Sequence, residues 1–232
     1  VADQYSTTAK PRWVLGSLGP GTKLPTLGHT SYEKLKLAYE EASKGLIDGG
    51  SDALLIETTQ DLLQAKAAVN GARDAINKSG EDIVLIAQVT VETTGTMLMG
   101  SEIGAALNAL EPLGIDLIGL NCATGPAEMS EHLRVLSKGA SVGISVMPNA
   151  GLPVLGENGA HYPLDGIELA KSLKQFVIDY KVNLVGGCCG TTPAHMLEVV
   201  KQLGSISVAT REVVREIGAS SLYQFAPFRQ QN

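Results

Sequence analysis

Cys122, Cys188 and Cys189 are the only cysteines in 232 residues, and two of them are neighbours in the chain. A thiolate is both a strong nucleophile and a soft metal ligand. Three of them can surround one Zn²⁺ and leave its fourth position open, the arrangement that separates a catalytic zinc site from a closed structural one. The cysteines are too far apart in sequence for a zinc-finger loop. Spacing alone therefore leaves three readings level: metal ligation, burial as small hydrophobes, and a vicinal redox pair. The redox reading strains the ring that adjacent cysteines close and leaves Cys122 unexplained.

What must hold these residues in place is legible from the apolar pattern. Strand-length runs recur at 13–19 (WVLGSLG), 53–59 (ALLIETT), 83–91 (IVLIAQVTV), 116–122 (DLIGLNC), 141–148 (SVGISVMP) and 183–189 (NLVGGCC). Their near-continuous Val, Ile and Leu content is that of parallel strands covered on both faces. Helix-period stretches separate them. The first, 31–47, opens with Thr30 and Glu33 in capping-box spacing and ends on glycines. An unbroken alternation of strand and helix requires parallel strands joined by right-handed crossovers.

Every strand also ends in chemically equipped residues: Gly19-Pro20-Gly21, Glu57-Thr58-Thr59, Glu92-Thr93-Thr94, Asn121-Cys122, Pro148-Asn149-Ala150-Gly151 and Cys188-Cys189-Gly190. In a (β/α) barrel these carboxyl ends converge on one face. A doubly wound sheet uses only the ends near its switch point. The expected fold class is thus α/β, a (β/α)8 TIM barrel with six of its eight βα units in this chain. The sequence opens on what reads as the end of a helix, so the first two units are expected to be absent, disordered or supplied by another chain. Residues 1–205 are read as the barrel portion and 206–232 as a connector packed along the surface.

Composition narrows the function. A formal net charge of −6 with dispersed Lys and Arg offers no basic stripe for nucleic acid. No apolar run is long enough to cross a bilayer and no signal core opens the chain, so a soluble cytoplasmic protein is the expectation. Gly-rich LGSLGPGT lacks the acidic residue and βαβ context of a dinucleotide site. His29, His132, His161 and His195 fall in loops or on helices, where surface or capping roles suit them. His195, in the opening turn of a helix, is the one placed nearest to a strand end. No lysine ends a strand, which removes the Schiff-base aldolase reading.

The segments GLNCATGP (119–126), MPNAGLP (147–153) and VGGCCGTTPAHM (185–196), in this order, resemble the signature segments of the homocysteine S-methyltransferase family, and LIETTQD (55–61) is similar to that family's fourth-strand segment. The likeness runs over nearly all of residues 11–205. Within the family, PNAGLP and the tail ASSLYQFAPFRQ resemble the cobalamin-dependent branch. The resemblance implies methyl transfer to the thiol of homocysteine, with zinc on Cys122, Cys188 and Cys189 as both catalytic and metal residues. It implies that Glu57 binds the substrate's α-ammonium and that Asn149 can take zinc's fourth position before substrate arrives. Asn121, beside Cys122, is read as orienting the ligand shell. No corrinoid-binding Asp-x-His-x-x-Gly segment is present, so methylcobalamin is expected on a separate domain, with folate- and cobalamin-binding domains as partners. Two alternatives stand beside this reading: a betaine- or S-methylmethionine-dependent homocysteine methyltransferase, and a non-catalytic truncated barrel serving as a binding or assembly module.

Overall fold

The structure is a computed structural model that describes residues 1–156, 159–204, 206–213 and 217–228. After a short helix α1 (Ala2–Tyr5) the chain runs β1 (Leu15–Leu18), α2 (Tyr32–Asp48), β2 (Ala53–Thr59), α3 (Leu62–Ser79), β3 (Val84–Val89), α4 (Ile103–Leu110), β4 (Leu117–Asn121), α5 (Pro126–Gly139) and β5 (Gly143–Met147). A hairpin of β6 (Val154–Gly156) and β7 (Gly159–His161) intervenes before α6 (Gly166–Tyr180), β8 (Leu184–Val185) and α7 (Pro193–Leu203). A second hairpin, β9 (Gly218–Ser220) and β10 (Phe225–Pro227), lies in the tail.

β1-β2-β3-β4-β5-β8 form one six-stranded sheet, and every neighbouring pair is parallel. Each of these strands is followed by a helix, so the chain forms six consecutive βα units of a (β/α) barrel, with β1 and β8 at the two edges. The expected architecture is present. Because alternate residues of a strand face opposite ways, one face of the sheet carries Leu54, Ile56, Leu85, Ala87, Val89, Ile118, Leu120, Ile144 and Val146, all buried in a single cluster with Val69, Leu133, Leu136, Leu169 and Leu173 of the covering helices. The other face carries Leu55, Ile86 and Leu117 at one level and, nearer the carboxyl ends, the polar and small residues Gln88, Gly119 and Ser145.

Gly119 shows how tight that side is. It pairs with Ser145 of β5, and a β-carbon on it would lie 2.1 Å from both the Ser145 carbonyl oxygen and its Oγ. Only glycine lets β4 and β5 approach there.

Three local differences from the sequence reading have plain causes. The N-cap of α2 is Ser31, whose side chain accepts from the Lys34 N–H at 3.3 Å, one residue after the Thr30 expected. Ser31 is the cap because its C=O accepts the first helical bond, from the Leu35 N–H at 3.1 Å, while its side chain takes the Lys34 N–H. β8 is two residues long rather than seven, since ladder pairing stops at Val146↔Val185 and the glycines that follow turn the chain out of the sheet. The hairpins are strand pairs of three residues each, too short to stand out from a loop in the sequence; β9–β10 turns through Ser221, whose Oγ accepts from the Gln224 N–H at 3.0 Å. No helix among the described residues is long and apolar enough to cross a membrane.

The tail is fastened at both ends of the barrel wall. The Arg211 guanidinium donates to the carbonyls of Leu136, Ala140 and Val142, capping the C-terminus of α5. Further on, the Glu102 N–H donates to Leu222 O at 2.9 Å, at the start of α4.

Candidate metal and substrate site

Asn121 ends β4, and the next residue leaves extended geometry abruptly: Cys122 and Ala123 have φ of 61° and 57°. Left-handed backbone costs a non-glycine residue about 1 kcal/mol, and such outliers gather where structure is over-determined for function. A tight turn, with the Thr124 N–H donating to Cys122 O at 2.7 Å, fixes Cys122 on the carboxyl face of the sheet. Thr58, beside Glu57, is a third left-handed residue, with φ of 58°.

Cys188 and Cys189 can serve one site although they are neighbours because they no longer belong to a strand. A turn closed by the Thr191 N–H donating to Cys188 O at 3.1 Å carries them, with Gly190 at φ of 79°. Left-handed backbone at that place in a turn is glycine's natural conformation.

The three backbones share one anchor. The N–H groups of Cys122, Cys188 and Cys189 donate to Met147 O at 3.2 Å, Pro148 O at 2.8 Å and Asn149 Oδ1 at 3.1 Å. These are three consecutive residues at the end of β5, a strand that itself brings no cysteine. Ala150 N–H returns the bond to Cys189 O at 2.9 Å.

The side chains meet as a result. All three sulfurs lie within 4.8 Å of one another. Cys122 Sγ and Cys188 Sγ are 3.8 and 3.9 Å from Cys189 Sγ. A tetrahedral zinc with bonds of about 2.3 Å places its sulfur ligands about 3.8 Å apart. The donor set therefore fits zinc in kind, number and separation. Cys122 and Cys188 are half-buried and Cys189 is exposed.

Without a cation, three close thiols cannot all ionise. The Cys122 thiol is brought down to about 6, chiefly by the Cys188 thiol donating toward it, with help from the Ala123 N–H and the Cys189 thiol and opposition from burial and from the charge of Glu92. Cys188 is driven far above the ordinary thiol range by that same interaction with Cys122, then by burial and by the neighbouring cysteine charges. The trio holds its negative charge first on Cys122.

Beside the thiols lies a polar group built from three strands. Glu57 Oε1 accepts from Ser17 Oγ of β1 at 2.5 Å, and its Oε2 lies 3.4 Å from Asn121 Nδ2. Asn121 is 1% exposed. Its Oδ1 accepts from the Thr58 N–H at 2.7 Å, while its Nδ2 lies 2.8 Å from Thr58 Oγ1 and 3.8 Å from Cys188 Sγ. One amide thus joins carboxylate and thiol. Asn149 is also buried, and its Oδ1 is engaged by Cys189 N–H.

All six residues singled out in the sequence stand on this one face. The histidines stand elsewhere in function: His195 Nδ1 accepts from Thr192 in a capping box, and its Nε2 lies 2.9 Å from Leu164 O. His29 accepts from Leu24 N–H at 3.3 Å. His161 lies on β7. His132, on α5, is held below the usual histidine range by burial. Sequence reading missed Ser17 and Tyr162, and placed Thr58 at a strand end without giving it a role of its own. Tyr162 follows the β6–β7 hairpin and packs against Gly190 of the cysteine turn from a loop, where no periodicity points to it. A cavity of about 920 Å³ opens at the opposite end of the sheet around Leu15, Ala53, Val84, Leu117 and Leu184, away from the thiols.

Comparison with known proteins identifies the family. Residues 1–203 match the family described as homocysteine S-methyltransferase. Methionine synthase of Mycobacterium tuberculosis (strain ATCC 25618 / H37Rv) is 61% identical over 230 residues, which is 99% of this chain and 19% of that protein. Methionine synthase of Mycobacterium leprae (strain TN) is 59% identical over 235 residues, 99% of this chain and 20% of that protein. The chain thus spans about a fifth of the length of these curated relatives. Among solved structures, the homocysteine methyltransferase MmuM from Escherichia coli superposes in its apo form with a TM-score of 0.64 at 21% identity, covering 84% of this chain and 64% of that one. Its metallated form gives 0.62 at 20% identity, covering 84% and 62%. At that identity the likeness speaks for the fold.

Proposed function

This chain belongs to the homocysteine S-methyltransferase family, and we propose from that premise that it transfers a methyl group to the thiol of homocysteine, giving methionine. In this reading Cys122, Cys188 and Cys189 hold a zinc ion, and the methyl group comes from methylcobalamin on a separate domain. The observation that carries it is the meeting of three sulfurs at strand ends with tetrahedral-edge spacing and one side left open. Zinc held there would supply the charge that lets a coordinated thiol, ordinarily protonated at neutral pH, ionise.

The protein's own residues do the rest. Three anionic sulfur donors would outweigh the double positive charge of the ion, so a fourth sulfur held there would stay electron-rich enough to attack a methyl carbon in line. Glu57 is assigned the substrate's α-ammonium, with Ser17 and Asn121 fixing the carboxylate. Asn121 orients Glu57 and Cys188 together. Asn149 serves the substrate side through Cys189, whose backbone it holds. Residues 1–205 act as the homocysteine-binding barrel portion and 206–232 as the connector toward folate- and cobalamin-binding domains in the cytoplasm. The short span of this chain within its methionine synthase relatives supports that division of labour.

Metal analysis together with homocysteine titration tests the proposal: about one zinc per chain, and homocysteine binding that disappears when the zinc is removed by chelation. A chain without zinc, or one whose homocysteine binding survives chelation, overturns it. A panel of methyl donors separates methylcobalamin from betaine and S-methylmethionine.

Two further results are expected. Zinc uptake must displace the protons that Cys188 and its neighbours retain, so affinity rises with pH and drops steeply as pH falls through about 6, where Cys122 itself is protonated. Competition with a chromophoric chelator across that range measures it, and a flat profile excludes thiols as the ligands. Second, Glu57→Gln keeps the shape and removes the charge opposite the ammonium, so KM for homocysteine rises roughly 10- to 100-fold, in line with about 1.5–3 kcal/mol for a hydrogen bond to a charged group, while zinc content stays unchanged. An unaltered KM removes Glu57 from the substrate site.

A further inference from the structure

β2 does not end as a regular strand. Ile56 pairs with Ala87 and Thr59 with Val89, so β2 advances three residues while β3 advances two. The surplus residue makes a β-bulge, a device that bends a strand and re-aims its side chains. In an unbroken strand Glu57 and Thr58 would face opposite ways. Here both reach the same amide: Asn121 Nδ2 lies 3.4 Å from Glu57 Oε2 and 2.8 Å from Thr58 Oγ1. Thr59, the next residue, is fully buried again, with its Oγ1 donating to Gln88 O at 2.9 Å.

The backbone at the bulge is left-handed, Thr58 having φ of 58°. For a branched side chain this is an outlier, and the sterically free choice would be glycine. What holds threonine there is a two-point clamp from β4, a strand that does not pair with β2. The Thr58 N–H can only donate, so it fixes Asn121 Oδ1 as its acceptor at 2.7 Å. Nδ2 is then left to donate to Thr58 Oγ1 and toward the Glu57 carboxylate. Asn121 is pinned in turn: Thr90 Oγ1, just past the end of β3, donates to its carbonyl at 3.0 Å.

We propose that Thr58 is the positioning residue behind selection of an α-amino thiol: its clamped, left-handed backbone holds the Glu57 carboxylate where the ammonium binds, so the site prefers homocysteine to a thiol acid without an amino group. The inference rests on the assignment of Glu57 to the substrate's ammonium. Ser17 Oγ, 2.5 Å from Oε1, holds one oxygen of that carboxylate from β1. The clamp on Thr58 adds what Ser17 cannot, the direction in which the Glu57 side chain leaves the backbone. A carboxylate aimed in advance binds a cation without the ordering entropy that a free one would lose. It gives nothing to a ligand that lacks the cation.

Calorimetric titration of the zinc-loaded 232-residue chain with homocysteine and with γ-mercaptobutyrate, its deamino counterpart, tests the proposal. The readout is the ratio of the two affinities. Thr58→Val keeps the branched shape and loses the Oγ1 bond, and the ratio is expected to fall about ten-fold, part of what a hydrogen bond to a charged group contributes. Thr58→Ser restores the hydroxyl and should keep the ratio to within about two-fold of the parent. Affinity for γ-mercaptobutyrate and zinc content should stay at the parent's values in both variants, a result that general loosening of the site would not give. Equal weakening of both thiols in Thr58→Val overturns the proposal, as does a Thr58→Ser ratio as low as that of Thr58→Val. So does an unchanged ratio in Thr58→Val while Glu57→Gln lowers it, in which case the ammonium assignment stands. A parent chain without preference for homocysteine, or a Glu57→Gln chain that keeps the preference, removes the ammonium assignment and the proposal with it.

Discussion

Alanine at Cys122, Cys188 or Cys189 is expected to take zinc content from about one per chain to background, and methyl transfer to homocysteine with it. The three changes should be equivalent in kind because each sulfur supplies one of three donors at comparable separations. Two remaining thiolates and water make a poor substitute, since much of the binding free energy of a thiolate zinc site comes from charge neutralisation by all its anionic ligands. Folding need not follow the metal. The hydrophobic cluster lies between sheet and helices and includes none of the three cysteines, so each variant should keep its helical circular dichroism while losing the ion. Inductively coupled plasma analysis and calorimetric titration with homocysteine read the outcome. Stoichiometric zinc in any one variant removes that sulfur from the ligand set, and zinc retained in all three ends the metal-site reading.

Gly119→Ala is expected to cost about 3 kcal/mol, at the upper end for overpacking a closed interior. For a chain of this length that lowers the unfolding midpoint by about 6–12 °C. The added carbon cannot be accommodated by a side-chain rotation, because one of its two nearest contacts at 2.1 Å is the backbone oxygen of Ser145. β4 and β5 must part. The effect reaches function by a short path: Asn121 and Cys122 follow two and three residues on, and Met147, which accepts the Cys122 N–H, sits two beyond Ser145. Zinc affinity should therefore fall along with stability, unlike the case of an exposed glycine. Thermal unfolding followed by circular dichroism, with zinc content at a temperature where the variant is folded, separates the two losses. A midpoint within about 2 °C of the parent, less than 1 kcal/mol by the same conversion, would show that the strands have slack that the structure does not display.

Strand identity and the face that carries the chemistry were legible in the sequence, because buried parallel strands write themselves as near-continuous apolar runs and polar residues reappear abruptly where each run meets solvent. Glu57, Asn121, Cys122, Asn149, Cys188 and Cys189 all stand at such endings. What stayed hidden depends on contacts between residues distant in sequence. Ser17 and Tyr162 carry no local signature, as each matters only for what another strand or turn sets opposite it. The early end of β8 was concealed by the very glycines that cause it, since Leu184-Val185-Gly186-Gly187 reads as a strand until its pairing is seen. The role of His195 was half visible. Its place in the opening turn of a helix suited a capping role, but its second bond, to Leu164, belongs to the tertiary fold.

The convergence of three cysteine amides on Met147, Pro148 and Asn149 has a consequence for how the site is assembled. A ligand set hung from two separate strands would normally widen or narrow whenever the sheet changes curvature. Here a strand without cysteine acts as a common ruler, and β4 and the β8 turn are both graduated against it. Flexing of the cylinder then carries the thiols along as a unit. Coordination geometry becomes a property of three adjoining elements, β4, β5 and the β8 turn, and not of a completed ring.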